Sequence, residues 1–452
     1  MGKDNMTEDE LRIVPGSPLR GELGSNEGYT LPGDKSLSHR AALFAALAEG
    51  QSRIENFLVS GVTRAMLDAL TALGIAWDLE GTTLQIQGKG LANPGNFQEQ
   101  VEIDCGNSAT TLRLLAGALA AWNLPALLGG SPGLQHRPMR RIISPLQEMG
   151  VRIECVDGCA PLRLLPTQLP LRAIDHTLPV ASAQVKSCLL LAALAADGPM
   201  TLREPGPSRD HTERMLGAMG VEVRRGENYS TYITPPGSRP LDPLHMTLPG
   251  DVSAAAFLIV AALITPGSQI TLRGVGLNPT RTGLLEALVA MGGDVQVANR
   301  SQQGGELMGD LTVSYSRLEG IRVDGDLVVR MIDEFPAFAV AAAFAQGKTV
   351  VSDASELRYK ESDRISALCA ELGGLGVQVS EKEDGFVIQG GKLPKGGVVN
   401  PHGDHRLAMS LAIVGLASEE GVSVREAGIV HESFPEFASI LEYLGADVRS
   451  ED

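Results

Sequence analysis

One helix-like pattern recurs six times along the 452-residue chain, and this repetition constrains the fold more than any other feature. Each copy has a polar residue, a few Ser, Lys or Arg positions, and then an Ala- and Leu-rich stretch. The starts of the copies lie 69 to 82 residues apart, at Asp34, Gly106, Ser182, Asp251, Asp333 and Asp404. Asp, Ser or Asn near a start can cap free backbone N–H groups, and the small apolar body suits a fully buried helix.

A second recurring element is an amphipathic helix that ends in Leu-Gly or Met-Gly and precedes a strand-like run. Its six copies are LDALTALGIAW, ISPLQEMGVRIE, RMLGAMGVEVR, LEALVAMGGDVQV, ALCAELGGLGVQV and LEYLGADVR. A unit of about 75 residues with alternating helices and strands is too long for a solenoid of 20–50-residue repeats. Two α/β domains of three units each fit the length better, with a boundary near residues 248–250. Residues 1–33 could belong to either domain.

Composition excludes several functional classes. Hydrophobic residues make up 43% of the chain, so it can bury a sizeable core. The net charge of −16 argues against a nucleic-acid partner. The apolar run 254–264 is shorter than the roughly 18 residues of a membrane span. The acidic N-terminal segment resembles neither a secretory signal nor a transit peptide, so we expect a cytoplasmic protein.

The cysteines predict neither a disulfide framework nor a metal site. There are five, an odd number, and they are spread along the chain, which fits reduced thiols. Cys155 and Cys159 lie four apart, but no second Cys or His pair accompanies them at zinc spacing. We therefore expect no metal and no other cofactor.

Basic and polar residues cluster near the starts of several predicted helices, where free N–H groups and the positive end of the helix dipole attract anions. The cluster comprises Lys35, Ser36, Arg40, Asn107, Arg113, Arg137, Arg209, Lys360, Glu361, Arg364 and Arg406. A single arginine of this kind is usually a solvated surface charge. Because these residues recur at equivalent places in repeated units, we predict a site for phosphorylated, carboxylated small molecules between two domains.

Eight short motifs carry a family resemblance over nearly the whole chain. In order, they are LPGDKSLSHR, GNSATTLR, HRPM, SAQVKS, SRDHTE, DEFP, RYKESDR and GDHRLAM. Together they resemble the 5-enolpyruvylshikimate-3-phosphate (EPSP) synthases, and DKSLSHR, SAQVKS and SRDHTE resemble the bacterial class II form. The resemblance implies a two-domain inside-out α/β barrel of six βαβαββ repeats, three per domain. The implied domains are 34–249 and 1–33 plus 250–452, hinged near 33–34 and 249–250.

The same resemblance implies an activity and its substrates. The enolpyruvyl group of phosphoenolpyruvate would pass to the 5-hydroxyl of shikimate 3-phosphate, releasing phosphate, by addition and elimination through a tetrahedral intermediate. This is the sixth step of the shikimate pathway, which leads to chorismate and the aromatic amino acids. Both substrates are polyanions, which explains a local cationic cluster in an acidic chain. We expect a monomer with these small molecules as its only partners.

The matched motifs also imply roles for individual residues. Those expected to contact shikimate 3-phosphate are Lys35, Ser36, Arg40, Ser182, Ala183, Gln184, Arg209, Asp333 and Lys360. Those expected to contact phosphoenolpyruvate are Lys35, Asn107, Ala109, Arg137, Gln184, Arg364 and Arg406. Asp333 is the expected base for the 5-hydroxyl proton, although without the resemblance a helix cap would be its simpler role. Lys35 and Glu361 are candidates for the proton transfers at the methylene carbon, and the assignment of each transfer stays open.

Two departures from the family pattern concern the expected phosphoenolpyruvate site. Class I enzymes carry a second glycine in GNAGTAMR, where this chain has Ala109. The extra methyl group should crowd an inhibitor longer than phosphoenolpyruvate, so glyphosate is expected to inhibit only weakly. Class I enzymes also place a lysine before Thr-Phe-Pro, where this chain has Glu432. No role is assigned to Glu432.

Three competing hypotheses remain at this point. UDP-N-acetylglucosamine enolpyruvyl transferases share the fold, but they usually carry a reactive cysteine in the loop before the position of Arg137, and GGSPGLQHRP has none. RNA 3′-phosphate cyclases are built from a related unit, but they need a nucleotide site and a nucleophilic histidine. A noncatalytic repeat scaffold would leave the basic helix starts unexplained.

Overall fold

The structure is a computed structural model that describes residues 10–24, 28–91 and 100–451. Most of the acidic N-terminal segment, residues 1–9, lies outside this described part. Contacts between Cα atoms divide the chain into two compact units. The terminal unit comprises Met1–Pro32, Gly250–Ser301 and Leu307–Asp452, and the inserted unit comprises Gly33–Pro249 and Gln302–Glu306.

The helices follow the two repeated sequence patterns. In chain order they are α1 Lys35–Leu47, α2 Gly61–Ala72, α3 Ala109–Trp122, α4 Pro132–Gln135, α5 Arg140–Glu148, α6 Ala183–Ala193, α7 His211–Ala218, α8 Val252–Ile264, α9 Gly283–Ala290, α10 Asp326–Arg330, α11 Phe335–Phe344, α12 Arg364–Gly374, α13 His405–Val414 and α14 Phe437–Tyr443. Short 3-10 helices occupy Ser355–Tyr359 and Ala427–Glu432. The six predicted Ala-rich helices are present as α1, α3, α6, α8, α11 and α13. The six amphipathic helices are present as α2, α5, α7, α9, α12 and α14.

Helix capping follows the prediction at most of the Ala-rich helices. At four of these starts, a side-chain oxygen accepts a hydrogen bond from a backbone N–H group; the accepting residues are Asp34, Ser108, Asp251 and Asp404. Glu334, not Asp333, occupies the N-cap position of α11, and the Glu334 side chain makes no capping hydrogen bond. The Asp333 carboxylate therefore needs another explanation.

The strands are short and numerous. In chain order they are β1 Glu10–Val14, β2 Arg20–Leu23, β3 Glu49–Glu55, β4 Ala76–Glu80, β5 Thr83–Lys89, β6 Val101–Asp104, β7 Ala126–Gly129, β8 Arg152–Val156, β9 Cys159–Leu165, β10 Asp175–Thr177, β11 Met200–Arg203, β12 Glu222–Arg225, β13 Ser230–Thr234, β14 His245–Thr247, β15 Gln269–Gly276, β16 Asp294–Gln303, β17 Glu306–Ser314, β18 Arg322–Val323, β19 Lys348–Val351, β20 Gln378–Lys382, β21 Gly385–Gln389, β22 Gly397–Val399, β23 Val422–Val424 and β24 Asp447–Glu451. They form six four-stranded sheets, three in each unit.

All six sheets share one topology. In the sheet β6-β7-β9-β8, the neighbouring strands β6 and β7 are parallel and are connected by α3. The hairpin β8–β9 follows, and its strand β9 pairs antiparallel with β7. A helix between parallel strands is the usual crossover, and the hairpin extends the sheet without another crossover. The predicted six βαβαββ repeats are confirmed.

Sequence-distant strands complete the first and last repeats. In the inserted unit, β14 pairs in parallel with β3 and supplies the first strand of the α1 repeat. In the terminal unit, β2 pairs in parallel with β15 and opens the α8 repeat. Strand β1 lies between β23 and β24 and finishes the last repeat. Each unit is thereby closed by strands from its own two ends.

Each unit has its own apolar core, built around its Ala-rich helices. All residues of α8 are buried, and α8 contacts α11 and α13. In the inserted unit, α3 contacts α1 and α6. Gly117 permits the close approach of α3 and α6, because an added Cβ there would lie 2.1 Å from the carbonyl oxygen of Cys188. Buried helices with half-exposed sheets around them confirm the predicted inside-out packing. Across the described ranges, no helix has the length and apolarity needed to cross a membrane.

Candidate active site

Three helix starts in the inserted unit present several of the residues predicted to bind shikimate 3-phosphate. Lys35 and Ser36 are the first residues of α1, and both are half-buried. Ser182 is the N-cap of α6, and Ala183 is the first residue of that helix. Arg209 precedes α7, and its Nη1 donates to Ser36 Oγ at 3.2 Å. The structure therefore joins the start of α1 to the segment before α7.

Arg40 is a buried cation held by neutral groups. It is 2% exposed. Its Nε donates to Thr212 Oγ1 at 2.9 Å, its Nη2 to Ser187 Oγ at 2.8 Å, and its Nη1 to Ser36 O at 2.9 Å. Within the described residues, no carboxylate oxygen lies within 4.0 Å of the guanidinium. Burial lowers the pKa of Arg40 to about 10, so it stays charged at neutral pH. A desolvated cation without a counterion favours an anion beside it.

His39, within the motif DKSLSHR, is neutral and ties two helices together. Its Nδ1 lies 2.8 Å from Lys35 O, and its Nε2 lies 3.1 Å from Val62 O and 3.3 Å from Ser108 Oγ. Burial lowers the pKa of His39 to about 4. It is therefore uncharged at neutral pH, and its contact with Lys35 O helps to hold the start of α1.

The start of α3 holds two residues expected near phosphoenolpyruvate. Asn107 Oδ1 accepts a hydrogen bond from Ser131 Oγ at 3.1 Å. Ala109 is the first residue of α3 and is 2% exposed, so its methyl group lies against other atoms rather than in solvent. Thr110 follows, and its Oγ1 accepts from Gln184 Nε2 at 2.8 Å. Gln184 is thus hydrogen-bonded to the residue that follows Ala109.

Arg113 organises this group from α3. Its Nη1 donates to Gln184 Oε1, and its Nη2 donates to Pro138 O at 3.1 Å. Pro138 directly follows Arg137, a half-buried residue whose backbone N–H donates to Leu134 O at 3.1 Å. Arg113 therefore fixes the Gln184 amide and the Arg137 segment relative to each other.

In the terminal unit, three cations surround Asp333. Lys360 Nζ lies 3.3 Å and Arg364 Nη1 lies 3.6 Å from Asp333 Oδ1. Arg406 Nη2 lies 4.0 Å from Asp333 Oδ2, and its Nη1 donates to Asp333 O at 3.2 Å. The structure thus brings together Asp333, Lys360, Arg364 and Arg406, which the sequence separates by up to 73 residues.

Arg364 is the centre of this terminal-unit cluster. It is 1% exposed. Its Nε donates to Asp404 Oδ2 at 2.7 Å, and its Nη2 donates to Glu361 Oε2 at 2.8 Å. Burial opposes its charge, but Asp404, Glu361 and Asp333 together raise the pKa of Arg364 above its usual value. Burial likewise opposes ionisation of Asp404, yet Arg364 lowers the pKa of that carboxyl. The pair is therefore ionised at neutral pH.

Several contributing residues were not predicted from the sequence. Asp404 was identified only as a helix cap, but its carboxylate also pairs with Arg364. Ser187 and Thr212 hold Arg40. The short polar residues within SAQVKS and SRDHTE were the available signal. Glu432 Oε2 lies 3.6 Å from His405 Nδ1, which places this carboxylate beside the GDHRLAM motif.

In the part of the chain that the structure describes, no group of three or more His, Cys, Asp or Glu side chains could hold a metal ion. Cys155 is exposed, Cys159 is half-buried, and both are free thiols.

Comparisons with known proteins identify the family of the chain. The family model "EPSP synthase (3-phosphoshikimate 1-carboxyvinyltransferase)" matches residues 15–441. A 3-phosphoshikimate 1-carboxyvinyltransferase of Xylella fastidiosa is 48% identical over 432 residues, covering 95% of this chain and 92% of that protein. The 3-phosphoshikimate 1-carboxyvinyltransferase of Pelobacter propionicus is 44% identical over 439 residues, covering 96% of this chain and 98% of that protein.

Solved structures show the same relationship. The EPSP synthase of Acinetobacter baumannii superposes with a TM-score of 0.87 at 38% identity, covering 98% of this chain and 100% of that one. The enolpyruvyl transferase NikO of Streptomyces tendae shares the fold, with a TM-score of 0.78 at 18% identity. The family match favours the EPSP synthases over the two other enzyme families considered from the sequence. With its repeats, basic helix starts and nearly full-length relatives, the chain belongs to the EPSP synthase family, the 3-phosphoshikimate 1-carboxyvinyltransferases.

Proposed function

We propose that this protein transfers the enolpyruvyl group of phosphoenolpyruvate to the 5-hydroxyl of shikimate 3-phosphate and releases phosphate. The observation that carries the proposal is the carboxylate of Asp333 among Lys360, Arg364 and Arg406. A base for the hydroxyl and cations for the anionic substrates then lie within a few ångströms of each other. The reaction needs both at one place.

The inserted unit supplies most of the proposed binding contacts to shikimate 3-phosphate. Its residues are Lys35, Ser36, Arg40, Ser182, Ala183, Gln184 and Arg209, to which the terminal unit adds Asp333 and Lys360. Arg40 supports this role, because among the described residues its buried guanidinium is hydrogen-bonded only to hydroxyl and carbonyl groups. A phosphate would supply the missing counterion through charge-assisted hydrogen bonds.

Phosphoenolpyruvate is proposed to bind Lys35, Asn107, Ala109, Arg137, Gln184, Arg364 and Arg406. Arg364 and Arg406 already contact Asp333, so a carboxylate or phosphate bound to them would lie near the proposed base. With both substrates bound in this way, the acceptor hydroxyl and the enol carbon would lie near the same groups.

The proposed chemistry has two stages. In the addition, Asp333 accepts the 5-hydroxyl proton, the oxygen bonds to C2 of phosphoenolpyruvate, and an acid protonates the methylene carbon. In the elimination, that carbon loses a proton and phosphate leaves. Lys35 and Glu361 are the candidate groups at the methylene carbon, and Glu361 is held by Arg364 at 2.8 Å.

A coupled assay tests the proposed reaction. Phosphate release should require shikimate 3-phosphate and phosphoenolpyruvate together, and each substrate alone should give none. Release with phosphoenolpyruvate alone, or activity with UDP-N-acetylglucosamine as acceptor, would contradict the proposal.

Asp333→Asn tests the proposed base. Asparagine keeps the shape but cannot accept the proton, so kcat should fall by about 10²- to 10⁴-fold. Asp324→Asn, at an exposed carboxylate paired with Arg322, is the matched control and should leave kcat unchanged. Turnover of Asp333→Asn near that of wild type would remove Asp333 as the essential base.

We further propose that the two units are the hinged domains of the enzyme. The chain passes from one unit to the other between Pro32 and Gly33 and between Pro249 and Gly250, which supports hinges at these places. It also enters and leaves the inserted unit at Gln302–Glu306, around the β16–β17 turn.

We also propose that the enzyme is a class II, glyphosate-tolerant form. The motifs DKSLSHR, SAQVKS and SRDHTE support the class, and the buried methyl group of Ala109 supports the tolerance. Ala109→Gly should tighten glyphosate inhibition by about one to two decades. Ala118→Gly, further along α3, is the matched control and should not change inhibition. Tight inhibition of the wild type that is unchanged in Ala109→Gly would contradict the proposal.

A further inference from the structure

Lys186 and two glutamates form a buried ionic group behind the helix starts of the inserted unit. Lys186 Nζ lies 2.7 Å from Glu204 Oε2 and 2.8 Å from Glu213 Oε1. All three side chains are 3% exposed or less. Isolated buried charges are costly, so such a group needs a reason in addition to packing.

Glu204 links this group to the start of α6. Its second oxygen, Oε1, accepts the backbone N–H of Ser182 at 3.1 Å. Ser182 is the N-cap of α6, and its own side chain makes no capping hydrogen bond. The Glu204 carboxylate therefore helps to fix the Ser-Ala-Gln segment, with Lys186 fixing Glu204.

Glu213 links the group to Arg40. It follows Thr212, whose hydroxyl accepts from Arg40 Nε, and its Oε2 has no hydrogen-bond partner among the described residues. Of the nearby carboxylates, Glu213 has the largest influence on Arg40, raising its pKa against the effect of burial. Arg209, Asp34 and Glu306 are the other charged groups that act on Arg40.

Within the set of Lys186, Arg40, Glu204 and Glu213, the charges balance. Lys186 and Arg40 carry two positive charges, and Glu204 and Glu213 carry two negative charges. Without Lys186, two buried carboxylates would face a single cation. Glu213, the carboxylate that acts most strongly on Arg40, would attract the guanidinium away from its hydroxyl partners.

We propose that Lys186 is a positioning residue that occupies Glu204 and Glu213, so that Arg40 and the Ser182 segment remain available for the phosphate of the substrate. The inference rests on the proposed function, because it assumes that shikimate 3-phosphate binds there. It predicts an effect on affinity for that substrate, with little effect on kcat.

Titration calorimetry of the full-length protein with shikimate 3-phosphate tests the inference. Lys186→Met should raise Kd by about 10- to 100-fold, as loss of outer-shell partners behind metal ligands does. The double variant Lys186→Met/Glu213→Gln removes the excess negative charge and should recover most of the affinity. In a double-mutant cycle, a residue that only filled space would show no such recovery.

Two further variants keep the inference testable if Lys186→Met does not fold. Glu213→Gln alone leaves the Lys186–Glu204 pair intact. It should not weaken binding, because it removes a negative charge that competes with the substrate phosphate for Arg40. A tenfold weakening in Glu213→Gln would overturn the inference. Leu70→Ala, a cavity in α2 of the same unit, is the matched control for lowered stability and should keep wild-type affinity.

The possible outcomes separate the two proposals. Wild-type binding of shikimate 3-phosphate with unchanged affinity in Lys186→Met, or with no recovery in the double variant, would overturn only the role of Lys186. Absence of binding by the wild type would overturn both. In turnover assays, a raised KM for shikimate 3-phosphate with kcat within about threefold of wild type would support the positioning role.

Discussion

Arg40 in the inserted unit and Arg364 in the terminal unit are equally buried but differently compensated. They are 2% and 1% exposed. Arg40 is held by two hydroxyls and a backbone carbonyl, and burial lowers its pKa to about 10. Arg364 is held by the carboxylates of Asp404 and Glu361, and its pKa is raised.

This difference suggests two tasks for the same side chain. A guanidinium already paired with carboxylates is part of the protein's own stability and orients those carboxylates. A guanidinium with only neutral partners keeps unused charge for an incoming anion. The comparison predicts that Arg364 contributes mainly to folding and site geometry, whereas Arg40 contributes mainly to ligand affinity.

The largest effect should follow removal of Arg364. Arg364→Met leaves Asp404 buried without its counterion, which should lower the free energy of unfolding by about 3–5 kcal/mol. Urea unfolding followed by far-UV circular dichroism measures it. Arg322→Met, which breaks the exposed pair with Asp324, is the matched control and should cost no more than about 1 kcal/mol. If both variants lost a similarly small amount of unfolding free energy, the stabilising role assigned to Arg364 would be contradicted.

Arg40→Met should have a small effect on stability and a large effect on ligand affinity. The free energy of unfolding should change by no more than about 1 kcal/mol, because no carboxylate loses a direct partner. Affinity for shikimate 3-phosphate should fall by about 10- to 100-fold, as expected for a lost charge-assisted hydrogen bond. Calorimetry and urea unfolding on the same samples measure both quantities. A stability loss as large as that of Arg364→Met, with affinity retained, would reverse the assignment.

The pH dependence of stability should separate wild type from Arg364→Met. In the wild type the pKa of Asp404 is lowered, so its contribution is present above the unfolded pKa and is lost as pH falls through the folded pKa. Between pH 5 and 7 that contribution is constant. In Arg364→Met, burial alone would raise the pKa of Asp404, and stability would fall as pH rises. The gap between the two proteins should widen by roughly 1–2 kcal/mol from pH 5 to 7. A constant gap would contradict this explanation.

The smallest effect should come from Ser187→Ala, which removes one neutral acceptor from Arg40. Thr212 and the Ser36 carbonyl remain, so the affinity for shikimate 3-phosphate should fall by only about 2- to 10-fold. Thr271→Val, which removes one of two hydrogen-bonded hydroxyls in a terminal-unit sheet, is the matched control and should leave this affinity unchanged. An affinity loss in Ser187→Ala equal to that of Arg40→Met would show that the Ser187 hydroxyl alone determines the orientation of the Arg40 guanidinium.

The helices were predictable because local sequence determines them. The Ala-rich bodies and the caps at Asp34, Asp251 and Asp404 are encoded within a few residues. The strand pairing is less local. Nothing in the sequence near β14 indicates that it pairs with β3, almost 200 residues earlier. That pairing follows from closure of the unit.

The candidate site was only partly predictable for the same reason. The motifs supplied Asp333, Lys360, Arg364 and Arg406, and the structure brings these together. The second role of Asp404 could not be inferred, because a cap and a counterion use the same residue type at the same place. The Lys186 group was missed, since a lysine in an apolar helix reveals its partners only after α6, α7 and the segment after β11 pack together.

Strand β1, which lies between β23 and β24, constrains the order in which a nascent chain can fold. At about 5–20 residues per second, the roughly 400 residues between these strands take some 20–80 seconds to synthesise. During that time the N–H and C=O groups of β1 have no sheet to join. The inserted unit has no such delay, because β14 completes its first sheet before α8 is made. Translation therefore favours folding of the inserted unit first, and the terminal unit can complete its last sheet only after β23 and β24 have been synthesised.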